Sequence, residues 1–383
     1  NLIIIPRIFF TPGFQFLLRR YHLKKSKIPS NHQISAWVLL KDFKKERLNF
    51  RQYCNQVLKF INQIVRIDIV LLPKCNDDWT IDFIKVINQL NIKLFIDDRE
   101  GAVSPQRLIA VPPLLKDLGI EFDMMTTQNL LHKNFFIESS FPKSKLIING
   151  APQSDYWYKK DFWQDLSEID NSLREDLIKI LFFSFGERTY MNFYYGNERR
   201  TWMPLIKEVN EVLIEIMNKY EGKIQLLYKT SAKFNRDISK DIDRFIKATK
   251  KHINNKYILF LDSSKSSFDL IRHSQLIVGF QTTGMIEAMN TSKQIIYTAW
   301  GELYKEIGST LLPLANENCL DVCSSKEMFF NTLEQGIIRE SNKIKYKDFS
   351  AEERKKLIEK YFTYSDGNVS KRLVEIISKR INN

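Results

Sequence analysis

The chain has 383 residues, enough for two or three domains and a large buried core. Hydrophobic residues make up 44% and charged residues 27%, a balance that excludes collagen-like, mucin-like and bulk-disordered classes. The formal net charge of +13 favours a polyanionic, nucleotide-bearing or anionic-membrane partner.

The chain opens on Asn1 rather than Met, so further sequence is expected upstream. Asn1–Phe10 is apolar but carries Pro6 and Arg7 and has no basic flank before it. It reads as a first core strand, Leu2–Ile5, and not as a signal peptide. No run of about 18 uncharged apolar residues follows anywhere, so no membrane-spanning helix is expected. The stretch Arg19–Lys27 (RRYHLKKSK) and the cluster Lys41, Lys44, Lys45, Arg47 and Arg51 are interleaved with Phe, Tyr and Leu. Such segments lie on an anionic bilayer, hold a polyanionic acceptor, or form an ordinary solvated helix face. No RNA- or DNA-binding motif accompanies them, so no nucleic-acid partner is expected.

Ile67–Leu72, Lys93–Ile96, Asp123–Thr126 and Lys145–Ile148 read as strands, with helices at Trp79–Leu90 and Pro112–Leu118. The charged and aromatic stretch Tyr158–Glu175 has no strand signal and marks a domain boundary. Beyond it, Ile178–Ser184 is a continuous apolar run, the mark of a strand buried on both faces. Pro204 opens a helix whose stripe is Ile206, Val209, Leu213, Ile216 and Met217, and Gly222 stops it. Strands at Lys223–Tyr228, Tyr257–Leu261, Gln275–Gly279 and Gln294–Tyr297 then alternate with helices around Ile238–Ile246, Ser266–His273 and Thr283–Asn290.

Ser350-Ala351-Glu352-Glu353 is a capping box, and Val369, Leu373, Ile376 and Ile377 form the stripe of a final helix. The reading is α/β: residues 1–165 and 166–345 as two Rossmann-like domains, and 346–383 as helices packing on them.

Four cysteines, Cys54, Cys75, Cys319 and Cys323, show no C-x-x-C spacing and no histidine completes a zinc site. They read as buried thiols of a protein in a reducing compartment. The five histidines, His22, His32, His132, His252 and His273, form no ligand motif, so no metal is expected; His273 reads as structural. No G-x-S-x-G elbow occurs.

Four loops could carry chemistry. In Leu276–Ala288 (LIVGFQTTGMIEA) a buried strand ends at Gly279 and a helix begins near Thr283. Ligands of open α/β sheets sit beyond such strand ends, and a helix start suits a phosphate. Gln281 lies in this loop, Thr282 and Thr283 offer hydroxyls, Gly284 lets a phosphate approach the backbone, and Glu287 can accept ribose hydroxyls. The alternative is a Thr-capped loop with nothing bound. In Ile96–Gly101 (IDDREG), Asp97, Asp98 and Glu100 cluster at a strand end, where one carboxylate can serve as base or nucleophile, or all can form a solvated loop. Ile148–Trp157 (INGAPQSDYW) is a turn through Gly150 and Pro152 to Asp155. After Leu227-Tyr228, Lys229, Thr230, Ser231 and Lys233 could contact a diphosphate or a sugar acid, or form an ordinary loop.

Taken in order, IDDREG, INGAPQSDYW, LIVGFQTTGMIEAM and the tail YSDGNVSKRLVEII resemble GT-B glycosyltransferases of bacterial surface-carbohydrate biosynthesis, the capsule and lipopolysaccharide group that includes Kdo transferases. That group carries a D-E-E-G-like segment, a G-N-P-R-x-D turn, a later G-x-x-T-T-G-x-E-A segment and an Asp-Gly-x-x-Ser opening of the last helix. Gly150, Pro152 and Asp155 match the turn, with Ala151 and Gln153 replacing its Asn and Arg. Thr282, Thr283, Gly284, Glu287 and Ala288 match the later segment.

The resemblance implies two Rossmann-like domains facing across a cleft and no cofactor beyond the nucleotide-sugar donor, a CMP-linked one among the candidates. Thr282, Thr283, Gly284, Gln281, Glu287, Lys229 and Ser231 would hold the donor, and Asp98, Glu100 or Asp97 would act as base or nucleophile. The acceptor would be a surface polysaccharide or lipid-linked glycan. The enzyme would be cytoplasmic, on the inner face of the plasma membrane through Arg19–Lys27. Lys229-Thr230-Ser231 stands where many relatives carry a His-Pro pair. That departure motivates a second reading, a non-catalytic scaffold subunit of a glycan-assembly complex; a third is a sugar-nucleotide epimerase.

Overall fold

In a computed structural model the described residues are 44–75, 80–99, 101–116, 118–187, 201–230, 239–262, 264–346 and 351–381. The expected strand Leu2–Ile5, the basic stretch Arg19–Lys27, Lys41, Ser350, Glu100, Ser231 and Lys233 lie outside them. Backbone contacts group the described residues into two units, 44–152 with 368–381, and 153–187 with 201–367.

In the first unit, helix α1 (Lys44–Ile64) buries Phe50, Cys54 and Leu58, spaced four apart on one face. It packs on α2 (Thr80–Gln89). The arginines of the basic cluster point inward: Arg47 grips fully buried Asp82 with two bonds of 2.9 and 3.1 Å, and Arg51 lies 3.5 Å from it. These two charges hold one helix to the next. Strands β1 (Ile69–Leu72), β2 (Lys93–Asp97), β3 (Met124–Thr127) and β4 (Leu146–Ile148) pair in parallel in that order. Met124–Thr127 are buried at every position, as a continuous apolar-and-threonine run in a parallel sheet requires.

Three helices connect these strands beyond α2. Ser104 caps α3 (Pro105–Ala110), α4 (Pro112–Lys116) follows, and Asn129 caps α5 (Leu130–Glu138). The sequence reading has no α5, because LLHKNFFIE lacks a clean apolar stripe. It is anchored by adjacent Phe135 and Phe136, both buried, together with His132.

The second unit is a six-stranded parallel sheet. Its strands are β5 (Ile178–Phe183), β6 (Ile224–Lys229), β7 (Ile258–Leu261), β8 (Leu276–Gly279), β9 (Gln294–Thr298) and β10 (Asp321–Cys323), in the order β10-β9-β8-β5-β6-β7. Helices α6 (Leu166–Ile169), α7 (Met203–Lys219), α8 (Ser239–Asn254), α9 (Ser267–His273), α10 (Thr283–Ala288), α11 (Glu302–Ile307) and α12 (Lys326–Ser341) surround it. β10, α11 and α12 extend the alternation one step beyond the sequence reading.

The two terminal helices part company. Helix α13 (Ala351–Phe362) belongs to the second unit, where Tyr361 donates to the carboxylate of buried Glu317 at 2.7 Å. Helix α14 (Val369–Ile381) belongs to the first, its carbonyls at Val369 and Arg380 accepting from Asn149 and Lys93 at 3.3 and 2.6 Å. Between them Gly367 has φ +74°, and a Cβ there would lie 2.7 Å from Tyr158. The Asp-Gly motif thus has a conformational reason. Among the described residues no helix is long and apolar enough to cross a membrane. All four cysteines are free and buried.

Candidate functional site

The sheet of the second unit reverses its direction of travel at β5. From β5 the chain steps to β6 and β7, then returns past β5 to β8, β9 and β10. The crevice beyond the carboxyl ends of β5 and β8 is where an open parallel sheet offers a ligand its site. Phe183, Gly279 and Lys229 are paired in register at that edge.

A cavity of about 860 Å³ opens at the same edge, within the size range of small-molecule sites. Its walls are the start of α7, with Trp202, Met203 and Pro204, and the start of α11, with Trp300, Glu302 and Lys305. Trp202 stands edge-on to Phe280, centroids 4.7 Å apart, and Phe280 stacks on Tyr297. Trp300 is fixed by donating Nε1–H to Glu208 at 2.5 Å. The result is a packed aromatic cluster behind the cavity, with Trp202 1% and Trp300 7% exposed, and with Glu302, Lys305 and Glu306 among the lining residues. The two tryptophans escape a sequence reading because Trp202 and Trp300 belong to no motif; only the topology brings their loops together.

The loop between β8 and α10 begins at Phe280, the residue that packs against Trp202. Gln281 sits in the left-handed region with φ +46°, and its amide is consumed inside the unit. Nε2 donates to Tyr297 Oη and to the Leu312 carbonyl at 2.6 and 2.9 Å, and Oε1 accepts the Leu312 N–H at 2.9 Å. It is a strut that shapes the loop. Thr282 caps α10, its hydroxyl accepting from Gly284 N–H at 3.3 Å, and Thr283 is exposed. Gly284 has a packing reason: a Cβ there would lie 2.7 Å from the ring of Phe183. The close approach it permits is to a phenylalanine. Glu287, half-buried one turn along, has its carboxyl pushed up to about 7 by burial.

Lys229 ends β6, two strands from β8 and so about 10 Å across the sheet from it. Its ammonium donates to the Asp262 carbonyl, and burial draws its pKa below the usual lysine range.

The first unit gathers a second polar cluster at the carboxyl ends of β2 and β3. Asp97 accepts from Thr126 Oγ1 at 2.6 Å and keeps part of its surface; burial raises its pKa. Asp98 is only 2% exposed and faces inward, its Oδ1 3.5 Å from Nε2 of His132. His132 Nδ1 accepts the Gln128 N–H at 3.3 Å, so in the neutral ring the proton resides on Nε2, the nitrogen that faces Asp98. Gln128 and Asn129 clamp the acidic loop by donating to the carbonyls of Arg99 and Gly101 at 2.6 and 3.1 Å. A Cβ on Gly101 would overlap Gln128, at 2.3 Å. His132, Gln128 and Asn129 are absent from the sequence reading. The available signal was the helix-capping Asn129 with a histidine three residues on.

In the turn segment Gly150 has φ +88°, Pro152 opens a short 3-10 helix and Asp155 is buried, 3.9 Å from Lys159. The chain passes from the first unit to the second between Pro152 and Gln153. These residues shape the passage from one unit to the next.

No protein-family profile and no curated protein sequence matches the chain. Solved structures do. One is a UDP-GlcNAc 2-epimerase from Methanocaldococcus jannaschii, with a TM-score of 0.53 at 14% identity over 88% of this chain and 83% of that one. A second is the UDP-GlcNAc 2-epimerase from Neisseria meningitidis bound to UDP-GlcNAc, with a TM-score of 0.51 at 14% identity over 87% and 82%. The Staphylococcus aureus MnaA–UDP co-structure gives 0.52 at 12% identity over 88% and 82%. At such identities the likeness is one of fold: two parallel-sheet α/β units of the GT-B type.

Proposed function

We propose that this protein is a GT-B glycosyltransferase whose second unit binds a nucleotide-activated sugar. The observation that carries the reading is the cavity lined by the starts of α7 and α11, on the sheet edge where the strand order reverses. The base or sugar would occupy the cavity between the starts of α7 and α11. Thr282, Thr283 and the backbone at Gly284 would meet the phosphate, with Lys229 and Ser231 assisting. Glu287 would accept the ribose hydroxyls. The fold likeness to proteins solved with UDP or UDP-GlcNAc supports a nucleotide-sugar ligand.

In the transfer, an acceptor hydroxyl oxygen forms a bond to the anomeric carbon, the bond from that carbon to the phosphate oxygen breaks, and the nucleotide leaves with the electron pair. The hydroxyl proton passes to a carboxylate. Asp97 keeps the exposed surface that a base needs, and Glu100 is the other candidate from the acidic loop. Asp98, buried against His132, would act by orienting that loop. The acceptor class remains the surface polysaccharide or lipid-linked glycan that the motifs imply, reached from the inner face of the membrane through Arg19–Lys27.

The test is a thermal-shift panel of UDP-, GDP-, CDP- and CMP-sugars on the full chain, followed by nucleotide release with a glycan acceptor. A ligand at about 100 times its Kd adds roughly 2.7 kcal/mol of stability. Asp97→Asn and Glu100→Gln should keep binding and lose turnover; no shift with any nucleotide sugar would end the proposal. A second reading, a sugar-nucleotide epimerase, is favoured by the named activity of the matched structures. It needs no acceptor, so a changed sugar in an acceptor-free reaction separates the two. Binding without either product would identify the scaffold subunit.

A further inference from the structure

The amino ends of the same sheet carry a second cavity, of about 370 Å³. It lies where β8 and β9 begin, at Gln275 and Gln294, whereas the donor-side loop lies where β8 ends. Three lysines line it, Lys293, Lys343 and Lys345, against one carboxylate, Glu340. That carboxylate is itself 3.6 Å from Arg339. Gln275, Ser292 and Tyr346 add neutral hydrogen-bonding groups.

The walls are built. Arg339 lies over the Tyr346 ring, its guanidinium carbon 4.4 Å from the centroid, and donates to Gln294 Oε1 at 2.7 Å. Tyr346 donates to Asp321 Oδ1 at 2.9 Å, and Gln294 Nε2 to Asp321 Oδ2 at 2.5 Å. The floor is therefore cross-linked before any ligand arrives. Lys343 holds the left-handed position that ends α12, with φ +53° and the Ile344 N–H returning to the Arg339 carbonyl at 2.9 Å. That position favours glycine, yet a lysine occupies it and brings an ammonium to the cavity. Lys293 arrives from a different loop, half-buried. Burial draws down the pKa of Lys293 and of neighbouring Lys179, whose charge Lys293 opposes. A bound anion would relieve both.

We propose that this cavity binds a phosphorylated, hydroxyl-bearing small molecule, a monosaccharide phosphate in size, at a site separate from the donor site. The lysines would hold the phosphoryl oxygens, and Gln275, Ser292 and Tyr346 the hydroxyls. The inference stands independently of the proposed transferase activity.

The probes are glucose 6-phosphate, inorganic phosphate and glucose, titrated calorimetrically into the full chain with and without saturating UDP. Saturable binding of glucose 6-phosphate, weaker for phosphate and absent for glucose, is expected, unchanged by UDP. Lys343→Gly keeps the helix end in its favoured geometry and Lys293→Met keeps the side-chain bulk. Each should weaken binding about tenfold, the effect of losing one charge-assisted bond, with melting temperature held or raised in Lys343→Gly. Unchanged affinity in both variants, displacement by UDP, or no saturable binding at millimolar concentration would overturn the assignment.

Discussion

Gly284→Ala tests whether the glycine of the Thr-Thr-Gly segment serves packing or a ligand. An alanine Cβ there would lie 2.7, 2.8 and 2.9 Å from three atoms of the Phe183 ring, against the 3.5–4.0 Å of an unstrained carbon contact. Phe183 ends β5 and is 6% exposed, so its ring has little room to retreat. Overpacking of this kind costs roughly 1–3 kcal/mol, and replacing a helical glycine by alanine returns about 0.5–1 kcal/mol. The expected net loss is therefore up to about 2.5 kcal/mol, read as a lowered urea midpoint with an unchanged slope. Phe183→Leu shortens the ring side chain. In the double variant the two effects should couple favourably by about 1 kcal/mol, more than independent sites show. A Gly284→Ala variant clearly more stable than the parent, or a strictly additive cycle, would refute the packing argument. UDP affinity in the repaired double variant then reads the ligand role separately from stability.

Two further outcomes follow from the same loop. Glu287 ionises near pH 7 when folded and near 4.5 when unfolded, so between those values the unfolded chain gives up its proton first and stability falls as pH rises. The fall is at most about 3 kcal/mol because the side chain keeps some solvent, and Glu287→Gln should flatten it in urea unfolding at pH 5 and pH 8; an equal slope in both proteins would contradict the burial argument. Gln281→Ala orphans the Leu312 N–H and carbonyl and takes one hydrogen bond from the Tyr297 hydroxyl, and should cost about 2–4 kcal/mol by chemical denaturation. A loss below about 0.5 kcal/mol, the scale of ordinary surface substitutions, would show that the loop does not depend on this strut.

The strands were legible because continuous apolar runs such as Ile178–Phe183 and Leu276–Gly279 have one physical solution, a parallel strand covered on both faces. The loop at Gln281–Gly284 was legible as a strand-to-helix junction, since Thr282 is a cap by chemistry alone. What its residues face was not legible. Gln281 could have pointed at a phosphate and instead ties Tyr297 to Leu312, residues 16 and 31 positions away. Gly284 is small because of Phe183, a hundred residues earlier. Asp98 looked like an exposed acid and is a buried partner of His132.

Local composition and periodicity determined the alternation of strand and helix, the absence of a disulfide framework, and the positions of the chemically suggestive loops. Tertiary structure alone decided that Trp202 and Trp300 wall one cavity, that Arg47 and Arg51 serve Asp82, and that α14 returns to the first unit while α13 stays with the second. The reason is that backbone conformation answers to residues a few positions away, whereas the surroundings of a side chain answer to whichever strands the sheet order places beside it.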